Sequence, residues 1–351
     1  MMRGVDVVTV PDFQGSNPAL FEARTLLFLG SWLENAGSSR DWPLHLACIG
    51  EPPESVRRLA ERCNAIVSVH PPTAGGKAPT RNKLRGFEVE PRTDRLLLLD
   101  VDVLFLGDPA PILELGECLA IAPAGNHRVR EEMWRKIYEA LEMPLPEERM
   151  LSVRAELADR LPERAWHGRR HLEPMIHYYN SGVFLVPWAQ GPELLRHWEG
   201  YLDRLAELFP LADPAHRKIA VEDQVSLALA LERIKEMRLP LQRLPDPLHT
   251  TWMHLMAGAV PFEDARMYHA VHLLRLGDPG PAADWLREVD LYEDFILGHV
   301  YPPSLGGRAL RGWRRLAGEP VGIVGLRALS AQIRDLTKRY VVPAISSQAI
   351  A

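Results

Sequence analysis

The sequence predicts an α/β fold: a mostly parallel sheet flanked by helices, with a helical insertion in its second third and a basic helical tail at its end. Three observations predict it. Short apolar runs alternate with amphipathic stretches over the first hundred residues, the pattern of strands joined by crossover helices. The run Arg95 to Val103 is apolar without alternation, which suits a strand covered on both faces. And 46% of the 351 residues are apolar, enough to fill a sizeable core.

In order along the chain, Val5 to Val10 reads as the first strand, Asn17-Pro18 as an N-cap with proline in the first turn, and Leu20 to Leu33 as the helix it opens. Leu44 to Gly50 reads as a second strand, and Pro52 to Cys63 as a helix with Val56, Leu59, Ala60 and Cys63 on one stripe. Ala65 to Val69 is a third strand, Thr80 to Val89 a helix, and Arg95 to Val103 the fourth strand. Pro123 to His177 is polar and rich in His, Arg, Trp and Pro, with one clear helix from Arg130 to Leu141; it reads as an insertion covering the acceptor side of a site. Val183 to Val186 returns to the sheet, Pro192 to Phe209 and Val221 to Met237 are amphipathic helices, and Met267 to Leu274 is a late strand. Residues 1–304 are therefore expected to form the catalytic domain. Residues 305–351 form the tail, in which Arg308, Arg311, Arg314, Arg315, Arg327, Arg334, Lys338 and Arg339 face only Glu319 and Asp335. Ala309, Leu310, Trp313 and Leu316 recur at helical spacing beside these cations, so the tail is expected to make peripheral contact with an anionic membrane or to fold back on the domain.

Composition excludes several classes. A net charge of -5 gives no global field for nucleic acid. Cys48, Cys63 and Cys118 are odd in number and form no Cys-x-x-Cys pair, which argues against a disulfide framework or thiolate zinc site and makes the cytoplasm the simplest compartment. Asp6 interrupts the first apolar run, so the N-terminus reads as a strand rather than a signal peptide, and no run approaches the roughly 20 residues of a membrane span.

The chemistry concentrates at Asp100-Val101-Asp102, directly after Leu96 to Leu99. If the strand continues, both carboxylates project to one side at the strand's carboxyl end, where ligands of open α/β sheets gather. Two such oxygen donors repel unless a cation lies between them, and a hard ion such as Mn²⁺ or Mg²⁺ that also takes diphosphate oxygens fits. Tyr178 to Val186 places a small Asn180-Ser181-Gly182 turn before an apolar strand, where Gly182 lets backbone approach a ligand. Glu222-Asp223-Gln224 opens a helix, where carboxylates are favoured for capping as well as for function. His269 and His272 have odd spacing, so on one strand only one ring can face the site. His167 and His171 lack an intervening Glu and share their segment with Gly168, which excludes a zinc-protease helix; Arg169 and Arg170 beside them face solvent or an anionic acceptor.

Taken together, the segments Leu99 to Pro109, Tyr179 to Val186, Glu222-Asp223-Gln224 and a late strand bearing His resemble, in this order, glycosyltransferases of the GT-A fold. Family eight is the most similar, and the likeness spans about residues 4 to 275. The resemblance implies a Rossmann-like domain that transfers a sugar from a nucleotide-sugar donor, a UDP-sugar by preference, to an unidentified acceptor. It implies Asp100, Asp102 and His272 as ligands of Mn²⁺ (or Mg²⁺) holding the donor diphosphate. It implies Asn180, Asp223 and Gln224 around the donor sugar, with Ser181 and Val101 beside them, and Arg81, Asn82 and Lys83 toward the nucleotide. Leu274-Arg275-Leu276-Gly277-Asp278-Pro279 replaces the usual Gly and Lys-Pro-Trp after the late His, which nominates Arg275 as the phosphate-facing cation. His249-Thr250-Thr251-Trp252 stands where many members place an Asn, so acceptor contacts are expected to differ. Retention would leave Asn180 and Gln224 to orient the sugar; inversion would make Asp223 the general base. Two alternatives are a haloacid-dehalogenase-like phosphatase, whose Asp-x-Asp usually follows the first strand, and a non-catalytic nucleotide-sugar-binding protein.

Overall fold

The computed structural model describes residues 2–73, 79–125, 129–161, 173–209, 223–236, 240–270, 283–298 and 321–344. The chain lays down β1 (Met2–Thr9), α1 (Pro18–Asn35), β2 (Leu44–Ile49), α2 (Glu54–Arg62) and β3 (Ile66–His70). β4 (Thr93–Leu99) and β5 (Val103–Phe105) flank the Asp-x-Asp segment, and β6 (Leu119–Pro123), α3 (Glu131–Ala140) and the short α4 (Val153–Glu156) follow. Next come β7 (Tyr179–Pro187), α5 (Gly191–Leu208), α6 (Asp223–Glu236), β8 (Leu241–Arg243), α7 (Trp252–Met256), β9 (Met267–His269), α8 (Ala283–Gly298) and α9 (Val321–Leu336). Seven strands form one sheet in the order β3-β2-β1-β4-β7-β6-β8, in which only β7 runs antiparallel to its neighbours. β5 and β9 pair separately as an antiparallel ribbon. The mostly parallel sheet between helices is the expected fold class.

Why β4 lies at the centre follows from its four leucines. Leu97 and Leu99 belong to one apolar cluster with Leu26, Leu27 and Leu29 of α1. Leu96 and Leu98 belong to the other, with Trp134 of α3, Trp198 of α5 and Leu227 of α6. Each buried leucine contributes about 1.5–3 kcal/mol, so this strand is fixed on both faces and its end is a rigid platform. Asn17 caps α1 as expected, its Oδ1 accepting from Leu20 N at 3.1 Å.

Three local expectations are corrected. Residues Pro79–Glu88 form a 3₁₀ segment rather than an α-helix. Asp100 to Asp102 is a turn between β4 and β5 rather than a continuing strand, closed by Val103 N donating to Asp100 O at 3.0 Å. Asn180-Ser181-Gly182 lies inside β7, where the register against β6 slips between Ile121 and Ala122. Of the two placements expected for the tail, its described part takes the one folded back on the domain. Ile323, Leu326, Leu329, Ile333 and Leu336 of α9 are buried in the same cluster as α1, and Tyr340 lies so close to α1 that a Cβ at Gly30 would sit 2.5 Å from its ring. Residues 308–316, which carry the interfacial pattern, lie outside the described residues. Among those described, no helix is long and apolar enough to cross a membrane.

At the opposite end of the sheet from the Asp-x-Asp turn, Asp6 ties four elements together. Its Oδ1 meets His45 Nε2 at 2.9 Å, while Oδ2 accepts from Thr93 N and Oγ1, both at 2.8 Å, and from Trp188 Nε1 at 3.0 Å. Burial alone would raise this carboxyl, but the hydrogen bonds from His45, Thr93 and Trp188 hold it below the usual carboxylate range. Because the folded value lies below the unfolded one, its stabilisation is present above the ordinary carboxylate range and is lost as pH falls through the depressed value. Asp6→Asn, which turns an acceptor into a donor facing donors, should cost about 2–4 kcal/mol in urea unfolding at pH 7. That difference should shrink below about pH 4. An unchanged midpoint at pH 7 would contradict this role.

Candidate active site and metal centre

The site begins where β4 stops. Asp100 N donates to Gly182 O at 2.8 Å, continuing the β4–β7 ladder by one bond. Two residues later Ala270 N donates to Asp102 O at 2.9 Å, and the β5–β9 register pairs Val103 with His269. Non-local pairing therefore delivers His269 to the turn. Its Nε2 lies 3.3 Å from Asp102 Oδ1 and 3.8 Å from Asp100 Oδ2. One ligand atom from each of Asp100, Asp102 and His269 lies within 4.8 Å of the other two, the one such group among the described residues. Two carboxylate oxygens and an imidazole nitrogen are a donor set that suits Mn²⁺ or another first-row divalent ion. His249 backs the ring, with Nε2 at 3.4 Å from His269 Nδ1. Burial, with the nearby His269, His254 and Arg243, pushes His249 well below the usual histidine range, so a neutral ring stands behind His269.

Two cations hold the carboxylates from the other side. Lys83 Nζ sits 2.7 Å from Asp100 Oδ1 and 2.9 Å from Asp223 Oδ2. It also donates to Ser181 Oγ at 3.0 Å, and Ser181 Oγ donates to Asp223 Oδ2 at 2.6 Å. Arg24 Nη1, on α1, lies 3.0 Å from Asp102 Oδ2, both side chains being almost fully buried. Burial raises Asp100, with Asp102 and Asp223 adding to the rise and Lys83 and His269 opposing it. Burial would lower Lys83, but Asp100 and Asp223 outweigh it and push it up. The centre is thus a dense array of opposite charges at the carboxyl end of the central strand.

The family model of the Rhodobacterales glycosyltransferase domain matches residues 47–235, more than half of the chain. The chain belongs to this glycosyltransferase family. No curated protein matches it. Solved structures similar to it include mouse xyloside xylosyltransferase 1, at 14% identity and a TM-score of 0.43 over 76% of this chain and 97% of that one. An active-site mutant of LgtC gives 14% identity and a TM-score of 0.46 over 92% and 99%. LgtC in complex with donor and acceptor sugar analogs gives 15% and 0.43 over 82% and 95%. The matched segment contains Lys83, Asp100, Asp102, Ser181 and Asp223 but neither Arg24 nor His269. Membership removes the phosphatase alternative.

The glycosyltransferase brings together Lys83, Asp100, Asp102, Ser181 and Asp223 of the residues nominated from sequence. Val101 is buried beside them in the turn, and Gln224 follows Asp223 in the first turn of α6. Asn180 Oδ1 accepts from Gly182 N at 2.8 Å, so its amide shapes the irregular stretch of β7. Asn82 joins the segment after β1 to the segment after β3, donating to Asp12 Oδ2 at 2.9 Å and accepting from Thr73 N at 2.9 Å. Arg81 pairs with Asp203 on α5. His272 and Arg275 lie outside the described residues. The ring brought to the carboxylates is His269, the histidine that the resemblance passed over. Arg24 was missed as well, and His249, read from sequence only for acceptor contacts, stands behind His269. Arg24 carried a signal, since it and Glu22 are the only charged residues between Leu20 and Leu33.

Gly182 has a tighter role than approach to a ligand. A Cβ there would lie 2.2 Å from His269 Cε1 and 2.7 Å from Nε2, so the absence of a side chain makes room for the imidazole. Gly182→Ala should therefore displace that ring, costing about 1–3 kcal/mol in chemical unfolding and weakening divalent-ion binding. Unchanged stability and ion affinity together would show that the ring has slack.

Proposed function

We propose that this glycosyltransferase moves a sugar from a nucleotide-sugar, a UDP-sugar in the first instance, to an acceptor, with Mn²⁺ or Mg²⁺ held by Asp100, Asp102 and His269. The observation that carries the reading is the convergence of those three side chains on one point at the end of β4. A divalent ion bound there supplies electrostatic stabilisation of the diphosphate leaving group. The remaining work falls to the chain's own residues. Lys83, clasped between Asp100 and Asp223, is a fixed positive charge beside the place where negative charge develops. The Ser181-Gly182 stretch of β7 presents backbone at the same point. Asp223, on the first turn of α6, accepts from Lys83 and Ser181 through one oxygen, and with Gln224 it would contact the sugar hydroxyls. Under a retaining outcome Asn180 and Gln224 orient the sugar; under inversion Asp223 takes the acceptor proton.

A donor panel of UDP- and GDP-sugars, with and without Mn²⁺, read by calorimetry and by slow hydrolysis, tests the reading. Asp100→Asn and Asp102→Asn should abolish metal-dependent donor binding with far-UV circular dichroism unchanged. His269→Ala should weaken it by about tenfold or more, and by more than His272→Ala does. Wild-type donor affinity in either aspartate variant, with metal present, would sink the assignment.

A further inference from the structure

Each carboxylate of the centre has one oxygen on a cation and the other toward His269. Asp100 places Oδ1 on Lys83 and Oδ2 toward the ring; Asp102 places Oδ2 on Arg24 and Oδ1 toward the ring. Arg24 is not free to drift, because α1 is fastened along its length to the segment that follows Asp102. Ser31 Oγ accepts from Phe105 N at 3.0 Å and Asn35 Nδ2 donates to Phe105 O at 2.8 Å. Beyond the helix, Ser38 N donates to Asp108 Oδ2 at 2.7 Å. On its other side the helix packs against Tyr340 at Gly30.

We propose that Arg24 is a positioning residue that holds Asp102 to one ion-facing oxygen and offsets part of the centre's negative charge, so that the divalent ion binds weakly until a nucleotide diphosphate arrives with it. This rests on the metal-centre reading above. The physical argument is a charge balance. Asp100, Asp102 and Asp223 are opposed by Lys83 and Arg24, so a bare cation approaches a site whose anionic attraction is largely offset, and an arriving diphosphate adds negative charge. Removing one buried unit charge a single carboxylate away should change cation affinity by about tenfold or more.

The test is titration of Mn²⁺ by the loss of its free-ion electron paramagnetic resonance signal, in full-length protein, with and without UDP. Wild type should bind Mn²⁺ weakly alone and more tightly with UDP. Arg24→Met should bind Mn²⁺ alone about tenfold tighter and gain less from UDP, while Arg24→Lys, which keeps the charge, should stay near wild type. Equal or weaker Mn²⁺ binding by folded Arg24→Met would overturn the proposal. Should Arg24→Met be unfolded without metal, because Asp102 is left buried and uncompensated, added Mn²⁺ must restore its circular dichroism, and failure to do so would equally overturn it. Absence of Mn²⁺ binding in wild type, with and without UDP, would refute the metal centre itself rather than the role of Arg24 alone.

Discussion

Two carboxylates held close together at the end of a buried strand are the constraint on which the rest of this site depends. Like charges at such separation, away from bulk water, repel by several kcal/mol unless they are compensated. The fold supplies compensating cations from two directions. Lys83 comes from the 3₁₀ segment before β4 and Arg24 from α1, while the β5–β9 ribbon brings the ring of His269 to face both carboxylates. Each arrives on an element whose placement is set by apolar burial, so core packing fixes the electrostatics. Leu97 and Leu99 pack in the cluster of α1, and Leu96 and Leu98 in that of α5 and α6. The strand that ends at the aspartates is therefore also the strand that joins the two cores.

Local periodicity made the frame legible. The strands and helices from Val5 to Val69 follow from alternating apolar runs and from the Asn17-Pro18 cap, and the sequence places Asp100 to Asp102 correctly at the end of the buried leucines. Residues 79–88 escaped because an amphipathic pattern does not separate 3₁₀ from α geometry. The convergence of Asp100 and Asp102 was expected for the wrong local reason. A turn closed by the Val103 N to Asp100 O bond brings them together, rather than strand alternation.

What could not be read from sequence is what depends on long-range register. His269 and His272 are equivalent candidates in the sequence; the pairing of Val103 with His269 brings His269 to the carboxylates, while His272 lies outside the described residues. Gly182 read as a turn glycine, yet its lack of a Cβ is demanded by a ring 87 residues later in the chain. Arg24 lay in an apolar helix as an unexplained charge, and its partner is 78 residues away. That the tail would fold back on the domain was one of two open readings, but that α9 would pack into the cluster of α1 was not legible.

Anomalous diffraction at the manganese edge from crystals grown with Mn²⁺ and UDP would test the central claim most directly. The account predicts one strong peak in direct coordination with Asp100, Asp102 and His269, and with diphosphate oxygens. A peak that leaves out His269, or manganese bound only to the nucleotide with both aspartates still on Lys83 and Arg24, would contradict it.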